Sequence, residues 1–246
     1  MGTTARDRRR GRRVVERERC CVATTTGQFK LGPSSLTEAV FESLRGRIIN
    51  GEIAPGEKVT EQRLTSEYGV ARPTAKSCLE RLTALGLLRR VAHKSAVVPQ
   101  LGAAEIDDLF FSRTTFEEAA TGHLATLRRV PAETERAQTQ MEAAANRSDF
   151  AEQVQADIAF HWSLIHGLGS ERLTRMYEMI SGEIHLTMGQ FAAHRRTTPS
   201  TVVAEHVAVM TAIGAGDVDG AKAAIADHLA RSRERVLAQL ESAEQG

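Results

Sequence analysis

Apolar residues between positions 36 and 49 fall at Leu36, Val40, Phe41, Leu44, Ile48 and Ile49, the spacing of a helix with one buried face. The Gly/Pro-rich stretch NGEIAPGEKV (50–59) interrupts it and predicts a loop. Thr60 is placed to cap a short helix around Leu64, which Gly69 breaks. A third helix is predicted from about Arg72 to Leu85, with Gly86 as its stop. Ala75, Cys78, Leu79, Leu82 and Leu85 form its inner stripe, leaving Arg72, Pro73, Lys76, Ser77 and Glu80 outside. The segment LLRRVAHKSAVVPQ (87–100) reads as two short strands around a polar tip, AHKS. From Glu105 onward the pattern is helical to the end, about six helices with breaks at RRVPAE, ANRSD, GLGSE, RRTTPS and GAGDVDG.

Three helices, a glycine turn between the second and third, and a strand pair make the outline of a winged helix-turn-helix. The fold expected is therefore mostly α: an N-terminal winged helix-turn-helix with a small β-wing, followed by an all-α helical bundle. The expected boundaries are a basic, disordered tail over 1–30, a winged helix over 31–101 and a helical ligand-binding domain over 102–246. LGPSS (31–35) is a linker whose Ser35 can cap the first helix.

Several polar side chains fall on apolar stripes. Asp157 and His161, one turn apart, share a face with Val154, Ile158, Leu164 and Ile165. His206 lies with Val209, Met210 and Ile213, and His228 with Ala221, Ile225 and Leu229. The midpoint between these two histidines is residue 217, inside the GAGDVDG turn, so an antiparallel hairpin would set them level. An unpaired buried carboxylate costs several kcal/mol on the order of magnitude. One carboxylate and three imidazoles on three helices would make an N₃O site for Zn, Ni, Mn or Fe as a divalent ion, with positions open for water or ligand. Taken singly, each histidine reads equally as a hydrogen-bonded core residue, and Asp157 and His161 as a pair with each other. Arg113 sits on the stripe of Ile106, Leu109, Phe110, Phe116, Ala120 and Leu124. An arginine keeps its charge, so it needs an anion there: an effector carboxylate, or an internal partner such as Asp157 or Glu183.

Net charge is close to zero, yet its distribution is uneven. Residues 1–30 carry nine Lys/Arg against three Asp/Glu (+6), residues 31–101 ten against seven (+3), and residues 102–246 thirteen against twenty-one (−8). The basic N-terminal part, residues 1–101, is suited to a polyanion, and the acidic C-terminal part is not. Arg72, Thr74 and Lys76 open the third helix, where a recognition helix meets base edges and phosphates, and Lys94 at the wing tip can reach the flanking backbone. The alternative is a winged helix with ordinary surface charges that binds protein. No apolar run is long enough to span a bilayer, the first residues lack a secretory h-region, and three cysteines make no disulfide framework. The expectation is a cytoplasmic protein without a membrane partner.

Residues 36–100 resemble the DNA-binding domain of GntR-family transcription regulators. The I-x-x-G-x-x-x-P-G loop (Ile48 to Gly56), the L-x-x-x-x-G-V turn (Leu64 to Val70) and the R-x-x-x-K start of the third helix (Arg72 to Lys76) carry the resemblance. It implies operator contacts by Arg72, Thr74 and Lys76; Gln62 stands where many members carry Arg. Residues 103–241 resemble the effector domain of the FadR subgroup, the FCD domain, through DIAFH (157–161), EHVAVM (205–210) and DHL (227–229). That likeness implies Asp157, His161, His206 and His228 as metal ligands and Arg113 as the residue reaching a carboxylate effector. Phe110, Tyr177, Ile184, Met188 and Phe191 are expected to shape the pocket, with His185 on its wall.

The function expected is a ligand-responsive, homodimeric transcription regulator on a double-stranded DNA operator, a short inverted repeat, with a small organic acid as effector. The alternatives are a metal-dependent enzyme, non-haem iron or similar, fused to a DNA-binding domain, and a purely structural metal or a metal sensor with no organic ligand.

Overall fold

A computed structural model describes residues 36–91, 95–190 and 199–244. The N-terminal part holds α1 (Leu36–Ile49), β1 (Lys58–Thr60), α2 (Glu61–Tyr68), α3 (Arg72–Ala84), β2 (Arg89–Val91) and β3 (Ser95–Val97). Thr60 accepts a hydrogen bond from the Arg63 amide and caps α2. Gly69 ends α2 with φ of 64°, a left-handed turn that costs glycine nothing. The inner faces of all three helices meet Ile53, Val59, Leu87, Leu88 and Val98 in one buried core.

One expectation is corrected here. The loop 50–59 does not stay a loop to its end: Lys58–Thr60 pairs antiparallel with Ser95–Val97, and the wing is a three-stranded sheet in the order β1-β3-β2. Three residues are too few to show an alternating pattern beside so many turn residues, and the pairing supplies what the local sequence does not announce. The wing tip with Lys94, the Ser35 cap, the tail 1–30 and Phe191 lie outside the described residues.

Six helices follow: α4 (Ala103–Thr126), α5 (Ala132–Arg147), α6 (Phe150–His166), α7 (Glu171–Gln190), α8 (Pro199–Ala215) and α9 (Val218–Glu244). Asp149 caps α6 by accepting from the Glu152 amide at 3.1 Å. α4 packs along α9, α5 along α6, and α8 folds back on α9 across Gly216 and Asp217. Phe160, Leu164, Val209, Ile213, Ile225 and Leu229 form the centre of one apolar cluster, and Leu109, Tyr177, Ile184 and Met188 of a second.

Helix α7 ties the two parts together. Its Leu186 is fully buried in the core of the winged helix. Its Gly182 amide donates to the Leu85 carbonyl at 2.9 Å, just after α3. A Cβ at 182 would lie 2.0 Å from that oxygen, so only glycine permits this approach. Arg89 bridges Glu105 of α4 and Glu183 of α7.

Candidate metal centre and DNA-binding face

Asp157 and His161 project from α6, His206 from α8 and His228 from α9, and all four are buried. The hairpin of α8 and α9 sets its two histidines level, and their Nε2 atoms are 3.4 Å apart. His228 Nε2 is 3.1 Å from His161 Nε2. Asp157 Oδ1 lies 3.4 Å from His206 Nε2 and 3.8 Å from His161 Nε2. Phe160 stacks on the His206 ring at 3.7 Å between centroids and fixes its plane.

The outer nitrogens decide the chemistry. His161 Nδ1 lies 2.5 Å from Glu117 Oε2, and His228 Nδ1 lies 2.7 Å from Glu205 Oε2. Burial pushes both carboxyls up, yet nearby positive charge and donated hydrogen bonds outweigh it and hold each at about 2: His161, Arg113 and Tyr177 beside Glu117, His228, Arg231 and Arg235 beside Glu205. An ionised carboxylate only accepts, so each Nδ1 carries the proton and donates it. When both rings carry only that proton, as metal ligands must, the Nε2 atoms of His161 and His228 present lone pairs to each other. Burial, only partly opposed by Glu205, pulls the His228 imidazolium down to about 4, which keeps that ring neutral.

Facing lone pairs repel, and a cation between them removes the conflict. Donors about 2.1 Å from a tetrahedral centre lie roughly 3.4 Å apart. The separations here run from 3.1 to 3.8 Å among the pairs named, and one donor atom from each residue lies within 4.8 Å of the others. The donor set fits a divalent metal, and carboxylates behind the histidines are the usual support of such ligands.

Glu117 and Glu205 were not among the sequence candidates. Glu117 follows Arg113 by one turn, a legible spacing, but nothing local shows that α4 aims it at α6. Arg113 is buried with its Nε 3.1 Å from Glu117 Oε1, an oxygen that also accepts from the Tyr177 hydroxyl at 2.7 Å. An internal anion, Glu117, thus sits against it, and Asp157 adds attraction from further away. Arg113 itself is not on the wall of the cavity that His161 lines.

That cavity measures about 350 Å³, within the range of small-molecule sites. His161, Trp162, Tyr177, Ile184 and His185 are on its wall. Of the residues expected to shape it, Tyr177, Ile184 and His185 do so, whereas Phe110 and Met188 belong to apolar clusters.

On the winged helix, Arg72 and Lys76 are exposed and Thr74 half-buried in the first turns of α3, with Gln62 exposed on α2. Lys76 Nζ is 3.8 Å from Glu80 on the same outer face. α3 has Ala71 at its cap position with no side-chain cap, and Pro73 in its first turn has no amide hydrogen to satisfy.

A winged helix with an exposed, basic start to its third helix, docked on a helical bundle with a buried Asp/His₃ cluster, is the architecture of a DNA-binding regulator. Residues 36–98 match the bacterial regulatory proteins of the gntR family, and residues 108–231 match the FCD domain. The chain belongs to the GntR family of transcription regulators, in the FadR subgroup that carries the FCD domain. It is 24% identical over 225 residues to the HTH-type transcriptional regulator YdhC of Bacillus subtilis (strain 168), covering 87% of this chain and 96% of that one. It is 25% identical over 196 residues to an HTH-type transcriptional regulator in an unstable DNA locus of Streptomyces ambofaciens, covering 77% and 80%. The solved structure of E. coli McbR/YncC shares the fold, with a TM-score of 0.66 and 20% identity over 85% of this chain and all 100% of that one. The protein is a DNA-binding transcription regulator and not an enzyme. Among the described residues, no helix is long and apolar enough to cross a membrane.

Proposed function

We propose that this regulator binds its operator as a symmetric homodimer in the cytoplasm and that its helical domain, residues 102–246, holds a divalent metal beside a small carboxylate effector. The observation that carries the reading is the convergence of the His161, His206 and His228 Nε2 atoms with Asp157 Oδ1, while Glu117 and Glu205 hold two of the rings by their outer nitrogens. Asp157, His161, His206 and His228 hold the metal, which is Zn, Ni, Mn or Fe. When bound, the metal supplies positive charge and open coordination beside the cavity. His161 belongs both to the ligand set and to the cavity wall, so an effector there sits against the centre.

Arg113 acts through Glu117: it keeps that carboxylate charged and directed at His161. On the winged helix, Arg72 reads a base edge, Lys76 neutralises phosphate, and Thr74, Gln62 and the wing's Lys94 complete the contact to a short inverted repeat. Elemental analysis of protein purified without chelators tests the reading, together with melting curves after adding Zn²⁺, Ni²⁺ or Mn²⁺. About one metal per chain and a raised melting temperature are expected. No bound metal and no shift with any of the three ions would reduce the cluster to a hydrogen-bonded polar core.

A further inference from the structure

Arg45 belongs to α1 of the DNA-binding part, yet it lines the cavity whose other walls come chiefly from α6 and α7. Leu85, at the end of α3, lines it too. The effector domain alone therefore does not complete this cavity.

The guanidinium is held in place without being neutralised. His185 Nδ1 lies 2.7 Å from the Ser181 carbonyl, so it carries the proton, and its Nε2 accepts from Arg45 Nη2 at 3.1 Å. That acceptor is a neutral ring. The nearby carboxylate of Glu42 is 3.6 Å from Arg45 Nη1 and 54% exposed. A pair so loose and so wet contributes little and is screened by salt. An arginine anchored by a neutral partner on a cavity wall is suited to a carboxylate, which it can grip with two parallel hydrogen bonds.

The remaining wall sets the body of the ligand. Trp162, Tyr177, Ile158, Ile184 and Leu85 offer apolar and aromatic faces. Glu178 also lines the cavity and is half-buried, so a cationic ligand is the competing chemistry.

We infer that Arg45 is an effector-binding residue supplied by the DNA-binding domain, and that the effector is an organic acid with a ring-sized apolar body, its carboxylate on Arg45 and its body against Trp162, Tyr177 and Ile184. This rests on the reading of the cavity as the effector site. The regulatory consequence is direct. Such a ligand is gripped fully only while α1 and α7 keep this docking, so it favours that arrangement of the recognition helices over any other. Differential binding of this kind is what shifts affinity for DNA.

Trp162 is the single tryptophan of the chain and stands on the cavity wall, so its fluorescence reports occupancy. The probe is benzoate, titrated into full-length protein loaded with Zn²⁺, with benzamide as its neutral counterpart and benzylamine as its cationic one. Benzoate is expected to change Trp162 emission saturably and to bind more tightly than either. Arg45→Gln should weaken benzoate roughly tenfold or more, and Arg45→Lys should keep part of the affinity, with zinc content unchanged in both. Hydrogen exchange over residues 36–49 should slow on adding benzoate to the wild type but not to Arg45→Gln. The inference is overturned by a wild type that gives no saturable response to benzoate, by equal benzoate affinity in Arg45→Gln, or by tighter binding of benzamide or benzylamine. Should Arg45→Gln fail to fold, the Arg45→Lys variant and the wild-type ranking of the three probes still decide. Normal zinc loading with Arg45-independent binding rejects this inference and leaves the metal reading intact. Absent zinc binding with an Arg45-dependent benzoate response in chelator-treated protein does the reverse.

Discussion

Glu117 joins Arg113 to His161: its Oε1 accepts from Arg113 Nε at 3.1 Å, and its Oε2 faces His161 Nδ1 at 2.5 Å. One carboxylate thus neutralises a buried guanidinium and sets which nitrogen of His161 is free to face the centre. Glu117→Gln keeps the shape and removes the charge. Metal affinity should fall about 10–100-fold, because the imidazole loses its anionic support. Stability should fall by about 3–5 kcal/mol, the usual cost of leaving a buried charge without its partner. Zinc competition against a chromophoric chelator and urea unfolding measure the two effects. An unchanged zinc affinity would show that Glu117 serves Arg113 alone.

His206→Ala, His228→Ala and Asp157→Asn should each lower metal content, although the ligands come from three helices. A chelator should lower the melting temperature of the wild type and leave these variants nearly unmoved, since they have little metal to lose. Melting curves with and without chelator, on the same preparations, check this. A chelator effect of wild-type size in all three variants would place any metal elsewhere.

Acid should destabilise the metal-free protein in a defined window. Burial holds the His228 imidazolium at about 4 in the folded chain, against an ordinary value of about 6.5. Between these values the unfolded chain binds the proton and the folded one does not, so stability decreases as pH falls from about 6.5 to 4. The loss from this one group is up to about 3 kcal/mol. Glu117, held at about 2, contributes stability that is present above its ordinary value and lost as pH falls through 2, so it extends the decline at lower pH. Urea unfolding of chelator-treated protein across this range tests it, and His228→Gln should flatten the upper part of the profile.

The recognition helix should separate base reading from phosphate contact. Arg72→Ala should lose about 1–3 kcal/mol on the operator and relax base preference. Lys76→Ala should weaken all sequences alike and reduce the salt slope by about one unit. Its exposed neighbour Glu80, 3.8 Å away, moderates the effect, so Glu80→Gln should strengthen binding to any DNA. Titrations at several salt concentrations measure both. Unchanged operator binding by Arg72→Ala would end its assignment.

Much of this was legible because it is local or periodic. Helical spacing places α1, α3 and the six helices of the bundle, and the glycine turn of GAGDVDG sets His206 level with His228 by counting alone. What was not legible depends on which helices meet. Glu205 precedes His206 and sits at the edge of its stripe, yet it reaches across to His228. Glu117 reads as the partner of Arg113 at i+4, but its bond to His161 exists only because α4 packs on α6. Arg45 looks like one more surface charge on a short amphipathic helix. Only the docking of α7 against the winged helix brings it to the cavity that His161 and Trp162 line.

That docking turns on one missing Cβ. Gly182 lies within α7, where glycine costs about 1 kcal/mol relative to alanine. On helix propensity alone, Gly182→Ala should stabilise. The structure requires the opposite: the added Cβ would lie 2.0 Å from the Leu85 carbonyl oxygen and 2.7 Å from the Leu87 nitrogen, both backbone atoms with no rotamer to change. Separating the two elements would also break the 2.9 Å bond from the Gly182 amide and disturb Leu186 in the winged-helix core. Gly46, in α1, is the matched control, because a Cβ there meets nothing within 4 Å. Gly46→Ala should raise stability by about 0.5–1 kcal/mol, whereas Gly182→Ala should lower it by more than that gain. Limited proteolysis should find the 85–89 segment opened in Gly182→Ala and protected in Gly46→Ala. If both alanines stabilise and both proteins resist cleavage, α7 does not hold the winged helix in the manner described.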